Sequence, residues 1–284
     1  MLHRNRSLMT PVSLTPKALL AATLFAFFGV AGAHAQATLF PKIVVRAGGF
    51  ALGNDTKIRL DGGVQGTEVD FESDFGVESS VTLAKVGIEW LPAKRHQFRL
   101  GYYESGRSGR RTLIDRQIVW GGDVYPIGAE VSSDFRNRVF EVDWTWWLMK
   151  RQQAGLGVTL GATVLDLRAA ADARVQAGSN VQHFHHDASA TAPVPTVGVE
   201  GRAEIRPRLF VQGYARFLPK VHIQDISGSA LQYSGTLEWM PFDHVGVGVG
   251  WHAFEVNADV DDTSFRGVLD LQTRGWLTYA RFAW

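Results

Sequence analysis

Ionisable side chains recur at every second position inside segments that are otherwise apolar. In segment 139–148, Glu141 and Asp143 alternate with Phe140, Val142 and Trp144. Because successive side chains of a β-strand point to opposite faces, this spacing gathers the charges on one face and the apolar groups on the other. Charges of both signs on an enclosed face can form ion pairs or line a water-filled pathway. Candidate members of such a polar network are Lys85, Glu89, Arg99, Glu141, Asp143, Glu200, Arg202, Glu204, Arg216, Glu238, His252 and Arg281.

A second group of chemically competent residues is a short histidine-rich segment. His183, His185 and His186 lie next to Asp187. Imidazole and carboxylate groups bind divalent metal ions, so these four residues are candidate ligands. The segment is predicted to be a loop, and one loop does not by itself supply the fixed geometry of a metal site. A solvated polar loop is the alternative, and the sequence predicts no cofactor.

The elements that position these residues are predicted to be β-strands. Apolar side chains repeat with a period of two in segments of roughly ten residues, the pattern of a strand with two different faces. Ten such segments are predicted, near residues 42–52, 82–90, 98–103, 139–148, 156–164, 197–205, 209–217, 231–239, 245–253 and 276–284.

The predicted connections alternate between short and long, which is typical of a transmembrane barrel with tight turns on one side and loops on the other. Short connections are predicted near 92–96, 150–154, Pro207 and 241–244, and long ones near 54–78, 106–134, 170–192, 219–229 and 257–265. We therefore predict an all-β fold, a transmembrane antiparallel up-and-down β-barrel of about ten strands, with eight or twelve as alternatives.

The first 35 residues predict a cleaved signal peptide. Residues 1–17 are basic, residues 18–30 are apolar, and Ala33 and Ala35 form a small-x-small cleavage pattern before Gln36. An uncleaved anchor is the alternative, but the apolar run is shorter than the roughly 20 residues that a spanning helix needs. The predicted domains are residues 1–35, the signal peptide, and residues 36–284, the barrel.

Composition excludes disulfide and thiolate sites and gives no support to nucleic-acid binding. The chain contains no cysteine, so it can form neither a disulfide framework nor a thiolate site. Removal of residues 1–35 changes the formal net charge from +1 to −2, because that segment carries three cationic residues and no acid. This balance gives no support to a nucleic-acid partner.

The C-terminal segment provides a family resemblance. Residues 279–284 alternate and end on Trp284, two positions after Phe282. This resembles the C-terminal assembly signal of outer-membrane barrels, whose terminal aromatic residue is read by the barrel-insertion machinery. Residues 36–284 resemble the small Gram-negative outer-membrane β-barrel superfamily that includes the OmpA transmembrane domain and the OmpW-like proteins. The resemblance implies an outer-membrane location with both termini periplasmic, and contacts with outer-membrane lipid, lipopolysaccharide, periplasmic chaperones and the insertion machinery.

Three functions are compatible with this barrel. The first is a non-enzymatic envelope or surface-interaction protein whose lumen is closed by ion pairs, and the second is a narrow channel for small solutes. The third is a surface enzyme, either a protease or a lipid-modifying enzyme. Ten-stranded outer-membrane proteases carry an Asp pair and a His–Asp pair at the outer rim, and Asp261–Asp262 and His186–Asp187 offer those residue types.

The acidic segment 68–78 is a candidate for binding cations or a host surface, or else a charged edge that keeps a hairpin soluble.

Overall fold

The computed structural model describes residues 38–62, 64–112, 117–120, 123–177, 180–223, 226–261 and 266–284. The predicted signal peptide and its cleavage residues Ala33, Ala35 and Gln36 lie outside the described residues. Within the described part of the chain, no helix is long and apolar enough to span a membrane.

The described chain is built from β-strands. In chain order they are β1 (Ile43–Leu60), β2 (Glu68–Asp70), β3 (Ser80–Ala93), β4 (His96–Thr112), β5 (Ile118–Trp120), β6 (Asp123–Tyr125), β7 (Glu130–Lys150), β8 (Ala154–Ala177), β9 (Asn180–Arg206), β10 (Leu209–Ile223), β11 (Ile226–Trp239), β12 (Val245–Asp261) and β13 (Arg266–Ala283).

Ten long strands close into a ring. Each pairs antiparallel with the next long strand along the chain, in the order β1, β3, β4, β7, β8, β9, β10, β11, β12, β13, and β13 pairs back onto β1 from Val44–Ala283 to Leu60–Gly267. In an open sheet the two edge strands would have backbone N–H and C=O groups without partners, and closure of the ring pairs these groups with each other. The predicted all-β, ten-stranded barrel is confirmed.

The two ends of the barrel differ in their connections. We call proximal the half that contains the start of β1, the end of β13 and the turns β3–β4, β7–β8, β9–β10 and β11–β12. The opposite half is distal. The proximal turns are short, and residues 94–95 and 207–208 each connect two strands directly. This agrees with the short connections predicted from the sequence.

Three of the five predicted long connections are wrong. All described residues of segments 170–192, 219–229 and 257–265 are strand, because β8 and β9 stay paired as far as Ala177 and Asn180, and β12 runs to Asp261. The remaining two are shorter than predicted, since β1 extends to Leu60 and β4 to Thr112. The strands therefore continue well beyond the ten-residue segments that the sequence pattern identified.

The outward face of the barrel changes from apolar to polar along the strands, and this explains why strand segments resemble long connections in the sequence. In the proximal part of β7, Phe140 and Val142 point outward and Glu141 points inward, whereas in the distal part Arg136 points outward and Phe135 is buried inside. The period of two is preserved while the apolar face changes sides. The distal half is thus arranged like a water-soluble barrel, with apolar groups inside.

The proximal half instead exposes a broad outward apolar band. Its exposed large side chains include Val86, Ile88, Trp90, Phe98, Leu100, Phe140, Val142, Trp146, Leu156, Val158, Leu160, Val197, Val199, Phe217, Leu237, Trp239, Val247, Val249 and Trp276. Such a continuous apolar surface is unusual for a protein surrounded by water on all sides.

The segment between β1 and β3 folds into the distal interior together with the β5–β6 hairpin. Phe71 packs against Phe75, Trp120 and Phe135, with ring centroids 5.4, 5.0 and 5.7 Å away. Glu72, which lies in the same segment, accepts a hydrogen bond from Arg107 at 2.5 Å. The aromatic residues of segment 68–78 thus anchor it inside the barrel, so the segment is not simply a charged edge that keeps a hairpin soluble.

Candidate functional site

The proximal lumen collects the predicted polar network. All twelve predicted residues lie on the inward-facing positions of their strands. Most of them are buried, and Glu204 is half-buried at the proximal rim, where its carboxylate accepts a hydrogen bond from the Arg208 backbone N–H at 3.0 Å. β8 contributes no charge to the proximal network, since its inward proximal positions are glycine and threonine.

Arg99 on β4 connects parts of the lumen wall that are not neighbours in the sheet. Its Nε lies 2.9 Å from Oε1 of Glu89 on the adjacent strand β3, and its Nη2 lies 2.7 Å from Oε1 of Glu200 on β9. β4 and β9 are separated in the sheet by β7 and β8, so the second contact crosses the lumen rather than running along the wall. A guanidinium group suits this position because its donors fan out in one plane toward several carboxylates.

Arg46 on β1 forms a second centre, and the sequence reasoning missed it. Its guanidinium group lies 2.7 Å from Glu89 and 2.7 Å from Glu238 on β11. Tyr279 donates its hydroxyl hydrogen to the same Glu238 oxygen at 2.8 Å. The signal was present in the sequence, because Arg46 alternates with the outward Val45 and Ala47.

A third set of contacts lies on the distal side of the network. Nη1 of Arg216 on β10 lies 2.8 Å from Oδ1 of Asp143 on β7. Gln232 on β11 donates to Glu141 at 2.7 Å, and Lys85 lies 3.1 Å from the other oxygen of Glu141. β10 and β11 are not neighbours of β7, so these contacts also cross the interior.

The proximal mouth is closed by aromatic and apolar groups. Trp147 is fully buried, and the Arg202 guanidinium lies 4.6 Å from the centroid of one of its rings. Phe40, which precedes β1, packs edge-on against Trp147 with ring centroids 5.0 Å apart. Arg202 also lies 2.6 Å from Glu200, so the mouth and the ion-pair network form one packed unit.

The inward glycines do not create free space. A Cβ atom on Gly157 would lie 2.7 Å from Cγ2 of Thr145, and one on Gly248 would clash with the ring of Tyr279. The added Cβ atom would in each case come closer to its neighbour than Cβ atoms do in real structures. The glycines therefore make room for large neighbouring side chains, which fill the lumen.

The structure places three of the four candidate metal ligands on one face of a strand and the fourth on the other. His183, His185 and Asp187 lie on the outer face of β9, whereas His186 lies on its inner face. The segment is strand and not loop, which corrects the sequence prediction. The described residues contain no group of three His, Asp or Glu side chains arranged to hold a metal ion.

His185 instead pairs with a neighbouring strand. Its Nδ1 lies 2.7 Å from Oδ1 of Asp172 on β8, and both side chains are exposed. The hydrogen bond and the negative charge of Asp172 raise the pKa of His185 above its ordinary value.

Of the hydrolase-like pairs, only His186–Asp187 lies wholly within the described residues, and its two side chains do not meet. His186 and Asp187 point to opposite faces of β9, as successive residues of a strand must. Asp261 lies at the exposed end of β12, 2.6 Å from Arg266, and Asp262 lies outside the described residues. A hydrolytic site requires its acid, base and nucleophile groups within hydrogen-bonding reach of one another.

The predicted assembly signal lies at the seam where the barrel closes. Trp284 exchanges two backbone hydrogen bonds with Ile43, at 2.9 and 3.0 Å. The rings of Phe282 and Trp284 lie nearly parallel, with centroids 6.4 Å apart. The aromatic terminus is thus part of the last strand pairing that completes the ring.

Comparison with known proteins supplies a fold and no sequence relative. No family model and no curated sequence matches the chain. Among solved structures, the outer membrane protease OmpT from Escherichia coli matches with a TM-score of 0.58 and 9% identity, over 85% of this chain and 96% of that one.

Two further matches have lower scores. The attachment invasion locus protein Ail of Yersinia pestis has a TM-score of 0.34 and 8% identity, over 85% of this chain and 99% of that one. The toluene transporter TodX of Pseudomonas putida has a TM-score of 0.32 and 7% identity, over 85% and 90% of the two chains. The closed antiparallel ring and the OmpT match together show that this chain has the fold of the small Gram-negative outer-membrane β-barrels.

Proposed function

We propose that this protein is a non-enzymatic β-barrel of the Gram-negative outer membrane, with a lumen closed to solutes and a distal half that forms a rigid surface outside the cell. The observation that carries the proposal is the bridge from Arg99 to Glu89 and Glu200, which joins β3 and β4 to β9 across the lumen. Its role is envelope structure or surface interaction, not transport.

The outward apolar band supports the membrane placement. On β7 the outward side chains from Phe140 to Leu148 are all apolar or aromatic, and none carries a charge. The next outward side chain on the distal side is Arg138, which marks the distal border of the band. Nine residues agree with the roughly 9–11 that a tilted transmembrane strand needs. Large aromatic residues within this band suit the interfaces between lipid and water.

The balance of charge supports a closed lumen. Six cationic side chains face five carboxylates, and the cationic set comprises Arg46, Lys85, Arg99, Arg202, Arg216 and Arg281. The carboxylates are Glu89, Glu141, Asp143, Glu200 and Glu238. A barrel of about this strand number has an interior that side chains can fill.

The same placement implies the partners of the protein. The apolar band would contact outer-membrane lipid and lipopolysaccharide, and the periplasmic chaperones and barrel-insertion machinery would handle the chain before closure. The arrangement gives no basis for a nucleic-acid partner, since the residues after position 35 carry a net charge of −2.

Thiol labelling of intact cells tests the placement. Because the chain has no cysteine, Ser189→Cys in the distal half and Lys94→Cys in a proximal turn each introduce one unique thiol. A membrane-impermeant maleimide should label the distal thiol on intact cells and the proximal thiol only after the outer membrane is disrupted. The reverse pattern would contradict the proposed orientation.

Liposome swelling tests the closed lumen. Liposomes that contain the refolded protein should swell in arabinose no faster than protein-free liposomes. Swelling that increases with protein content would support the narrow channel in place of the closed barrel.

A further inference from the structure

A large apolar cavity lies inside the distal half, apart from the charged network. Its volume is about 570 Å³, and inward side chains of β8, β9 and β12 such as Leu165, Val194 and Val256 form part of its wall. None of the described residues that line it is charged. Pockets for small molecules commonly have volumes of roughly 300–1,000 Å³ and mainly apolar walls.

The cavity exists because several inward positions of the distal half carry small side chains. Ala169, Ala188, Ala190 and Ala258 line it, and the aromatic Phe135 on β7 lies beside its pairing partner Ala169. The outer surfaces of the same strands are polar, so contact with lipid does not dictate this distribution. Packing in protein interiors is normally close to that of organic crystals, and a void of this size is an exception.

Trp120 supplies an independent sign of a ligand. Its side chain is 1% exposed and forms part of the cavity wall. Its indole N–H has no hydrogen-bond acceptor among the described residues. A buried donor without an acceptor is destabilising, and an acceptor on a bound molecule would relieve that cost.

We propose that this cavity binds one uncharged, mainly apolar small molecule that carries a hydrogen-bond acceptor, and that Trp120 Nε1 donates to that acceptor. Apolar walls favour a hydrophobic body, and the absence of a charged group among the described lining residues disfavours an ionised ligand. The inference goes beyond the proposed closed barrel, because the cavity lies distal to the ion pairs and binding does not require passage through them.

Nuclear magnetic resonance of the indole N–H groups provides the test. The probe is 2-acetylnaphthalene, added to ¹⁵N-labelled refolded protein in micelles at constant detergent concentration. The nine tryptophans give separate reporters, and Trp120→Phe assigns the signal of Trp120. We expect the Trp120 indole proton to move downfield and to saturate, while the signals of the outward Trp146 and Trp239 change only in proportion to the probe dissolved in the micelle.

Matched variants locate the binding. Ala190→Leu fills the cavity and should raise the half-saturation concentration at least about tenfold. Ala170→Leu adds the same side chain on the outer face of the adjacent strand and should leave binding unchanged. Naphthalene, which lacks the acceptor, should bind without the downfield movement, and 2-naphthalenesulfonate should not saturate the signal.

Two results would overturn the proposal. One is a Trp120 signal that never saturates and follows the outward tryptophans, and the other is equal saturation in the parent and in Ala190→Leu. If Ala190→Leu fails to refold, as judged by heat-modifiable gel mobility, Ala258→Leu replaces it, and the parent titration still decides whether a saturable site exists. Failure of this test leaves the permeability and labelling results of the closed barrel unaffected.

Discussion

The contact between Arg216 and Asp143 gives a quantitative test of the cross-lumen network. Arg216 is 1% exposed and its Nη1 lies 2.8 Å from Oδ1 of Asp143. Its guanidinium carbon also lies 3.9 Å from the centroid of the Tyr214 ring. Removal of either charged partner leaves the other buried without its closest counter-charge, which typically costs about 3–5 kcal/mol.

The predicted changes follow from a double-mutant cycle. Arg216→Met and Asp143→Asn should each lower the free energy of unfolding by about 3–5 kcal/mol. The double variant buries no unpaired charge at this position, so its loss should be smaller than the sum of the two single losses by about 3 kcal/mol. Urea unfolding in micelles, followed by tryptophan fluorescence, measures all four free energies.

An outward ion pair serves as the control. Arg136 lies 3.8 Å from Glu104 on the exposed surface, and an exposed pair of this kind contributes about 0–1 kcal/mol. Arg136→Met should therefore have little effect. Additive losses for Arg216→Met and Asp143→Asn, or losses as small as that of Arg136→Met, would refute the argument that the buried charges depend on each other.

Three further predictions concern other parts of the barrel. Replacement of Gly248 by Val should lower the free energy of unfolding by about 1–3 kcal/mol, because the new side chain would clash with Tyr279, and urea unfolding measures the loss. Deletion of the aromatic ring in Trp284→Ala should slow assembly into lipid vesicles that contain the barrel-insertion machinery while leaving the folded gel mobility unchanged; equal assembly rates would contradict the proposed assembly signal. Asp172→Asn should lower the pKa of His185 toward its ordinary value of 6.5, as measured by an imidazole titration. Since that pKa is raised in the folded chain, the pair stabilises the distal hairpin below pH 6.5, and the contribution disappears as the pH rises through the folded pKa.

The strands of the proximal half could be predicted from the sequence because both of their faces are distinctive. On β7, Glu141 and Asp143 alternate with Phe140 and Val142, and only a strand with one polar and one apolar face produces this spacing. The ring order then follows from short turns between consecutive strands. The register of closure between β1 and β13 follows from three-dimensional pairing, and no local pattern specifies it.

The distal extensions could not be recognised with the same rule. On β8 the inward positions from Ala169 to Ala173 are alanines, and the outward positions include Arg168 and Asp172. Alanine is only weakly apolar, so the continued alternation resembles a polar loop. The one sign of a continuing strand is that Leu165 and Leu167 occupy the inward positions just before the alanines, on the face opposite to the proximal apolar one.

The partners within the lumen also lay beyond sequence reasoning. The alternation shows that Arg99 and Glu200 face inward, but their contact depends on which points of β4 and β9 lie opposite each other across the ring. That relation is set by the tilt and stagger of ten strands together. Arg46 gives a weaker signal, because its inward neighbours Val44 and Phe50 are apolar and do not mark a polar face.

Single-channel recording tests the closed lumen most directly. The refolded protein is inserted into a planar bilayer beside the charge-balanced variant Arg99→Ser/Glu200→Ser, which removes the 2.7 Å bridge across the lumen, and beside the outward control Glu104→Ser/Arg138→Ser. We predict no conductance steps for the parent and the control and discrete steps for the lumen variant, which also shows that insertion is detectable. Steady conductance steps from the parent, equal to those of the lumen variant, would contradict a lumen closed by ion pairs.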